Sequence, residues 1–344
     1  MRQAQLEAPK TLSWSELPTP QPATGEAVVR IRAALTCGTD LKTYRRGHPK
    51  LKFGPFGHEA SGDIVALGSG VEKFRVGDAV MWVQTAPCGR CPRCLEGRMN
   101  ICEHLTDHIA LGTYADYIRL PADIVRLNLF SKPAELSYIE AAFLEPFSCV
   151  VHGWNVVRRA AAAQPLPHSV AIIGAGTIGL LHLAYARHAG VAATVFAKHP
   201  QRLALARKLG AVEAAASNDA VSLPRSFPVV IDCGGTAESW RDAVRLAAPG
   251  GRVLLFSGLP EGAEVALDAT HIHYDELALL GSFHFSPDDV RAARDLLIAK
   301  VVPAGDLISQ VLSMDSLGDA FERLDRREAY KYALIPPPAE ASWI

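Results

Sequence analysis

Residues 170–179 constrain this chain more than any other stretch. The apolar run Val170-Ala171-Ile172-Ile173 leads straight into Gly174-Ala175-Gly176-Thr177-Ile178-Gly179, and that turn opens a helical stretch over 177–189. A strand, a G-x-G-x-x-G turn and a helix in this order start a βαβ unit. The first glycine makes the tight turn, the second lets backbone approach a pyrophosphate, and the third lets helix and strand pack closely. The helix N-terminus adds free N–H groups and a positive dipole end for phosphate. The same rhythm continues as a strand over 194–196, a helix over 200–209, a strand over 229–232, a helix over 238–247 and a strand over 252–256. An apolar strand near 277–280 and a helix over 287–300 follow. Alternation of this kind predicts a doubly wound parallel sheet and places the chain in the α/β class. Gly174, Gly176, Thr177, Ile178 and Gly179 are therefore candidate dinucleotide-binding residues.

The second strand of such a unit tells the two nicotinamide dinucleotides apart. An NAD site places an acidic residue there, about 20 residues after the glycines, to hold the adenine ribose hydroxyls. Here the segment reads Val195-Phe196-Ala197-Lys198-His199-Pro200-Gln201-Arg202, with no carboxylate. The small Ala197 leaves room for a 2′-phosphate, and Lys198, His199 and Arg202 can supply charge and donors to it. NADP is expected in preference to NAD.

The texture before residue 133 is different. Residues 26–34 and 61–67 alternate and are β-branched, and the turn Val76-Gly77-Asp78 leads into an apolar run over 79–83. These read as short strands and loops of a partly open barrel. The Ala-rich stretches 138–143 and 150–163 read as helices. A chain of 344 residues at 49% hydrophobic exceeds one ordinary core and predicts two domains. Lys plus Arg (35) balances Asp plus Glu (36), so net charge offers nothing to draw nucleic acid or an anionic membrane. No stretch reaches the roughly 18–20 apolar residues of a membrane span, and Met1 to Glu7 lack the apolar core of a signal peptide. A cytoplasmic protein acting on a small molecule is expected.

In a reducing compartment, clustered cysteines read as metal ligands. Cys88, Cys91, Cys94 and Cys102 are spaced C-x2-C-x2-C-x7-C in a loop over about 87–103 that is punctuated by glycine and proline. Four thiolates close a tetrahedral shell around zinc and leave no position for substrate, which predicts a structural site. A second set is dispersed: Cys37, His58, Glu59 and Glu145. One thiolate, one imidazole and two carboxylates suffice for a three-ligand zinc with a position open to water or a substrate oxygen. Cys149 and Cys233 lie in apolar segments and read as buried packing residues.

Taken together these residues resemble the zinc-containing medium-chain dehydrogenase/reductase family, closest to its sorbitol (polyol) and threonine branches. Gly57-His58-Glu59-Ala60-Ser61-Gly62 with Gly68 and Val71 fits the family's zinc signature, and the cysteine quartet, Gly77-Asp78, Glu145-Pro146 and the glycine turn follow in family order. The resemblance implies a β-rich GroES-like catalytic domain over 1–146, a Rossmann domain over 147–284 and a segment over 285–344 that returns to the catalytic domain. It implies Cys37, His58 and Glu59 as catalytic-zinc ligands, with Glu145 touching the zinc-bound oxygen or exchanging onto the metal, so the third ligand stays open between Glu59 and Glu145. It places the Thr39 hydroxyl at the start of a proton relay. Relatives often carry a histidine three residues further on, where this chain has Lys42, so proton exit runs by water, Lys42, the ribose or nearby His48. Ser257 and Leu259 are implied along the nicotinamide. Tyr114, Phe53 and His284 are candidate substrate-pocket residues.

The implied reaction is hydride transfer between a secondary alcohol of the polyol class, or the corresponding ketone, and NADP, in an enzyme with two zinc ions per chain. Two rivals stand beside it: an NAD-dependent, threonine-type amino-alcohol dehydrogenase, and a nucleotide-sensing or scaffolding protein without turnover. The apolar strand near 277–280 can pair with its mate in a second copy, which predicts a homodimer or homotetramer.

Overall fold

A computed structural model describes residues 1–47, 53–161, 166–217 and 225–337. The described chain divides into two compact units, one of Met1–Pro146, Ser286–Ala299 and Ala304–Ile344, the other of Phe147–Phe285 and Lys300–Pro303. His48 and the last residues of the helix expected over 150–163 lie outside the described residues.

The first unit is β-rich. Its main sheet runs in the order Gln310–Ser313, Tyr332–Ile335, Ala27–Leu35, Glu59–Leu67, Ala79–Trp82, Leu129–Ser131, with Tyr117–Leu120 also paired to Ala27–Leu35. The Ala27–Leu35 strand is central and reads Ala-Val-Val-Arg-Ile-Arg-Ala-Ala-Leu, nearly all of it buried. Its antiparallel register sets Leu35 opposite Glu59. The C-terminal strand Tyr332–Ile335 pairs on its other side, Ala333 against Leu35. Residues near 36, 59 and 332 are thereby gathered at one end of the sheet. A hairpin of Arg2–Ala8 and Thr11–Glu16 and a helix at Gly38–Arg46 belong to the same unit. Neither stands out in the sequence, because the helix is short and polar and the hairpin lacks a sustained alternation.

The second unit is a six-stranded parallel sheet in the order Glu213–Ala216, Ala192–Ala197, Ser169–Ile173, Phe227–Asp232, Ala247–Leu255, Ala278–Gly281. Strand order reverses at Ser169–Ile173, the switch point at which a doubly wound sheet binds its ligand. The α/β reading holds, with a sheet-rich GroES-like unit and a Rossmann-like unit. Two local readings are corrected. Ala247 opens a strand instead of closing a helix, because the helix ends at Leu246. Cys149 and Cys233 are only partly buried.

Candidate active site

Cys37 lies two residues past the buried strand Ala27–Leu35 and caps the N-terminus of helix Gly38–Arg46, its sulfur accepting from the Thr39 N–H at 3.4 Å. His58 and Glu59 sit where the partner strand Glu59–Leu67 begins. The ligand atoms of Cys37, His58 and Glu59 all lie within 4.8 Å of one another. Glu59 is fully buried, and Oε1 has no hydrogen-bond donor among the described residues. Glu145 joins from the first turn of helix Leu144–Arg159, with Oε2 4.0 Å from His58 Nε2.

Three residues that sequence reasoning did not single out complete the surroundings. Asp40, one turn into the helix that Cys37 caps, takes His58 Nδ1 at 3.0 Å and accepts the Tyr114 hydroxyl at 2.9 Å. A carboxylate on Nδ1 sets the tautomer that leaves Nε2 as a donor pair for a metal. Gln84 Nε2 donates to Glu145 Oε1 at 2.8 Å. Lys331 is buried, ion-paired with Glu59 Oε2, and donates to Thr36 O at 2.7 Å. Asp40 carries no sequence signal of its own, because the short polar helix Gly38–Arg46 that places it is not marked by any period. Nothing local marks Lys331, which arrives only because the C-terminal strand pairs with Ala27–Leu35.

The electrostatics call for a cation. Cys37, Asp40, Glu59 and Glu145 are anionic when ionised, and Lys331 offsets one of these charges through its ion pair with Glu59. Burial pushes the Cys37 thiol up, and Glu59 adds to it. Burial also pushes the Glu59 carboxyl up to about 7, although Lys331 and His58 pull the other way. For His58 burial opposes charge, yet Asp40 and Cys37 outweigh it and hold its pKa well above the ordinary imidazole value. A dication among these groups reverses the Cys37 and Glu59 shifts by favouring thiolate and carboxylate. A thiolate, an imidazole of fixed tautomer and a buried carboxylate with an unmatched oxygen fit zinc.

Thr39 and Lys42 are exposed and three residues apart on helix Gly38–Arg46, hence neighbours on one face. Phe53 is exposed. Tyr114 corrects its expected role as a pocket wall: it is fully buried, packs against Phe56 and Phe321, and donates to Asp40 and Leu35 O. It braces the residue that orients His58.

The sulfurs of Cys88, Cys91, Cys94 and Cys102 likewise lie within 4.8 Å of one another. Backbone N–H groups of Arg90 and Cys91 point at Cys88, and those of Cys88 and His104 at Cys102, at 3.3–3.5 Å. Such donors favour thiolates. At Cys91 burial works upward, but N–H groups of Glu103 and Cys94 and the neighbouring thiols outweigh it and pull the pKa to about 6. Four inward sulfurs leave no open position.

In the second unit the glycine turn is built for close approach. Gly174 has φ +102°, and a Cβ there would sit 3.0 Å from the Cys233 carbonyl; at Gly179 it would meet Gly174 O at 1.8 Å. At Gly176, by contrast, the nearest atom is Arg202 Nη1 at 3.6 Å. The protein itself leaves space over Gly176, at the start of helix Thr177–His188, with a guanidinium at its rim. Thr177 and Ile178 form the first turn of that helix, partly exposed. Ala197 ends its strand buried, while Lys198 is exposed and paired to Glu238 at 2.9 Å. Ser257 follows the Ala247–Leu255 strand and takes the Trp240 Nε1–H on its carbonyl at 3.2 Å, with Leu259 partly exposed two residues on. His284 sits at φ +60°, its ring stacked on Phe285.

Comparison with known proteins agrees with both units. Residues 23–128 match the alcohol dehydrogenase GroES-like domain and residues 139–332 the glucose dehydrogenase C-terminus. The chain is 30% identical to sorbitol dehydrogenase of Bacillus subtilis (strain 168) over 340 residues, covering 94% of this chain and 93% of the relative. Among solved structures it resembles galactitol-1-phosphate dehydrogenase from Escherichia coli, with TM-score 0.87 and 28% identity over 98% of this chain and 100% of the other. It also resembles a chain from Sinorhizobium meliloti 1021 described as a zinc-binding dehydrogenase and solved with NADP, with TM-score 0.87 and 29% identity over 97% and 99% of the two chains. Among the described residues no helix is long and apolar enough to cross a membrane. The chain belongs to the zinc-containing alcohol dehydrogenase, or medium-chain dehydrogenase/reductase, family, whose members are dehydrogenases acting on small-molecule alcohols.

Proposed function

We propose that this protein is an NADP-preferring dehydrogenase of polyols or sugar alcohols, or a reductase of the matching ketones, with one catalytic and one structural zinc per chain. The observation that carries the reading is the gathering of Cys37, His58 and Glu59 beside Glu145, with the His58 tautomer set by Asp40. When bound, zinc supplies Lewis acidity toward a substrate oxygen and the nicotinamide supplies or takes the hydride. Cys37, His58 and one of the two glutamates hold the metal. The Thr39 hydroxyl takes the substrate proton as it gives its own to water, which leads to solvent past Lys42 on the same helix face. Cys88, Cys91, Cys94 and Cys102 hold the structural ion. Gly176 with Thr177 and Ile178 receives the pyrophosphate, Gly174 and Gly179 fix the turn, and Ser257 and Leu259 lie along the nicotinamide. Ala197, Lys198 and Arg202 receive the 2′-phosphate. The Lys198–Glu238 pair is exposed on both sides, so it yields to a phosphate at little cost. Phe53 and His284 remain substrate-pocket candidates, and the sheet edge Ala278–Gly281 is the surface for a homodimer or homotetramer.

The test is metal content and cofactor affinity on one sample. About two zinc ions per chain and an NADPH dissociation constant at least about tenfold below that for NADH are expected, the latter amounting to about 1.4 kcal/mol. Turnover should then appear in a panel of polyols and ketoses. Tighter NADH binding together with turnover of threonine moves the protein to the amino-alcohol branch. One zinc or none, with no dinucleotide bound, makes it a scaffold.

A further inference from the structure

Gln84 carries a buried polar side chain that the mechanism above does not use. It lies two residues past strand Ala79–Trp82, on backbone held from two directions: the Ala110 N–H donates to Gln84 O at 2.8 Å, and Asn128 Nδ2 donates to Thr85 O at 2.7 Å. From this fixed base Nε2 reaches Glu145 Oε1 at 2.8 Å, while Gln84 Oε1 is buried with no donor among the described residues. The amide has one tenable orientation, since reversing it would set a carbonyl oxygen against a carboxylate oxygen and lose the charge-assisted bond.

The two carboxylates beside His58 are thus held in different ways. Glu59 Oε2 is paired with the Lys331 ammonium, which offsets its charge. Glu145 Oε1 takes a neutral donor from Gln84, which orients the carboxylate without itself offsetting its charge. With Oε1 engaged by Gln84, the oxygen turned toward His58 is Oε2, 4.0 Å from Nε2.

We infer that Gln84 is the positioning residue for Glu145: its amide fixes that side chain so that the charged Oε2 is presented to the Cys37, His58 and Glu59 cluster. The inference rests on the metal reading of that cluster and goes beyond it, by assigning which oxygen of Glu145 faces the metal position and what sets it there.

The test uses the holoprotein, with cobalt(II) exchanged into the open site to give a spectral reading. Gln84→Met keeps the volume and removes the donor; Gln84→Asn keeps an amide but withdraws it by one methylene, and serves the same comparison if the methionine variant does not fold. Both variants should keep NADPH affinity, shift the visible cobalt bands, and lower kcat on a polyol by about ten- to a hundredfold with KM little changed. A positioning role makes one further demand: in a Glu145→Gln background, Gln84→Met should alter neither the cobalt spectrum nor kcat any further. Additive losses in that double variant overturn the inference. So does a Gln84→Met protein with wild-type spectrum and wild-type kcat, while the wild type itself still binds metal and turns over. A wild-type chain that takes up no metal at this site overturns the metal reading, and the inference with it.

Discussion

His182 shows how far a single residue can be set against its surroundings. It lies on helix Thr177–His188, fully buried, its ring edge-on to Phe256, and neither ring nitrogen has a hydrogen-bond partner among the described residues. Burial pushes its pKa down to about 3 from the ordinary 6.5. The folded chain refuses a proton that the unfolded chain accepts, so the native state keeps its full advantage above about pH 6.5. That advantage is lost as the pH falls toward about 3. Between about pH 7.5 and about pH 5 this residue alone should cost about 2 kcal/mol. Urea unfolding at the two values checks it: His182→Leu should lose less stability than the wild type over the interval, and an equal loss rejects the account. At this scale the sequence is a poor guide, because a lone histidine in an apolar helix does not announce whether its nitrogens are paired. The same applies to Tyr114, whose composition suits a pocket wall and whose position makes it a brace for Asp40.

At the scale of elements, the glycine turn separates folding from binding. A methyl group at Gly179 would overlap Gly174 O, whereas one at Gly176 meets nothing closer than a guanidinium nitrogen at 3.6 Å. Gly179→Ala should therefore destabilise the Rossmann unit by about 3 kcal/mol or more, through backbone overlap that no rotamer relieves. Gly176→Ala should melt like the wild type yet bind NADPH at least about tenfold more weakly, because its methyl group occupies the approach to the pyrophosphate. Thermal melts with and without NADPH separate the two, and a Gly176→Ala protein with unchanged affinity would remove the pyrophosphate from this turn. Both glycines are legible from their spacing after a strand. The cysteine quartet is legible for the same reason, since its members fall within one short loop and its backbone donors come from that same loop. Elements without a strong period, such as Gly38–Arg46 and Glu213–Ala216, are not.

For the whole molecule, the parallel sheet leaves Ala278–Gly281 at its edge, half-buried and apolar, next to exposed Tyr274 and Phe283. An edge of this kind pairs with another copy unless it is covered or charged. Sedimentation at micromolar concentration should give two or four times the chain mass of 37.0 kDa, and a monomer would leave this edge without its proposed mate. What the sequence determined by itself is whatever rests on near neighbours: the βαβ alternation, the glycine turn, the cysteine loop and the missing acid at the end of the second strand. Periodicity and short spacings carry these, because hydrogen bonding and packing within a unit of some thirty residues decide them. What only the tertiary structure decided is how dispersed groups are aimed and balanced. Asp40 on His58, Gln84 on Glu145 and Lys331 on Glu59 join residues 18, 61 and 272 positions apart. The Lys331–Glu59 pairing follows from strand register at the end of one sheet, where a shift of a single residue would turn a side chain to the other face. Asp40 and Glu145 are brought in by helices distant in sequence from their partners.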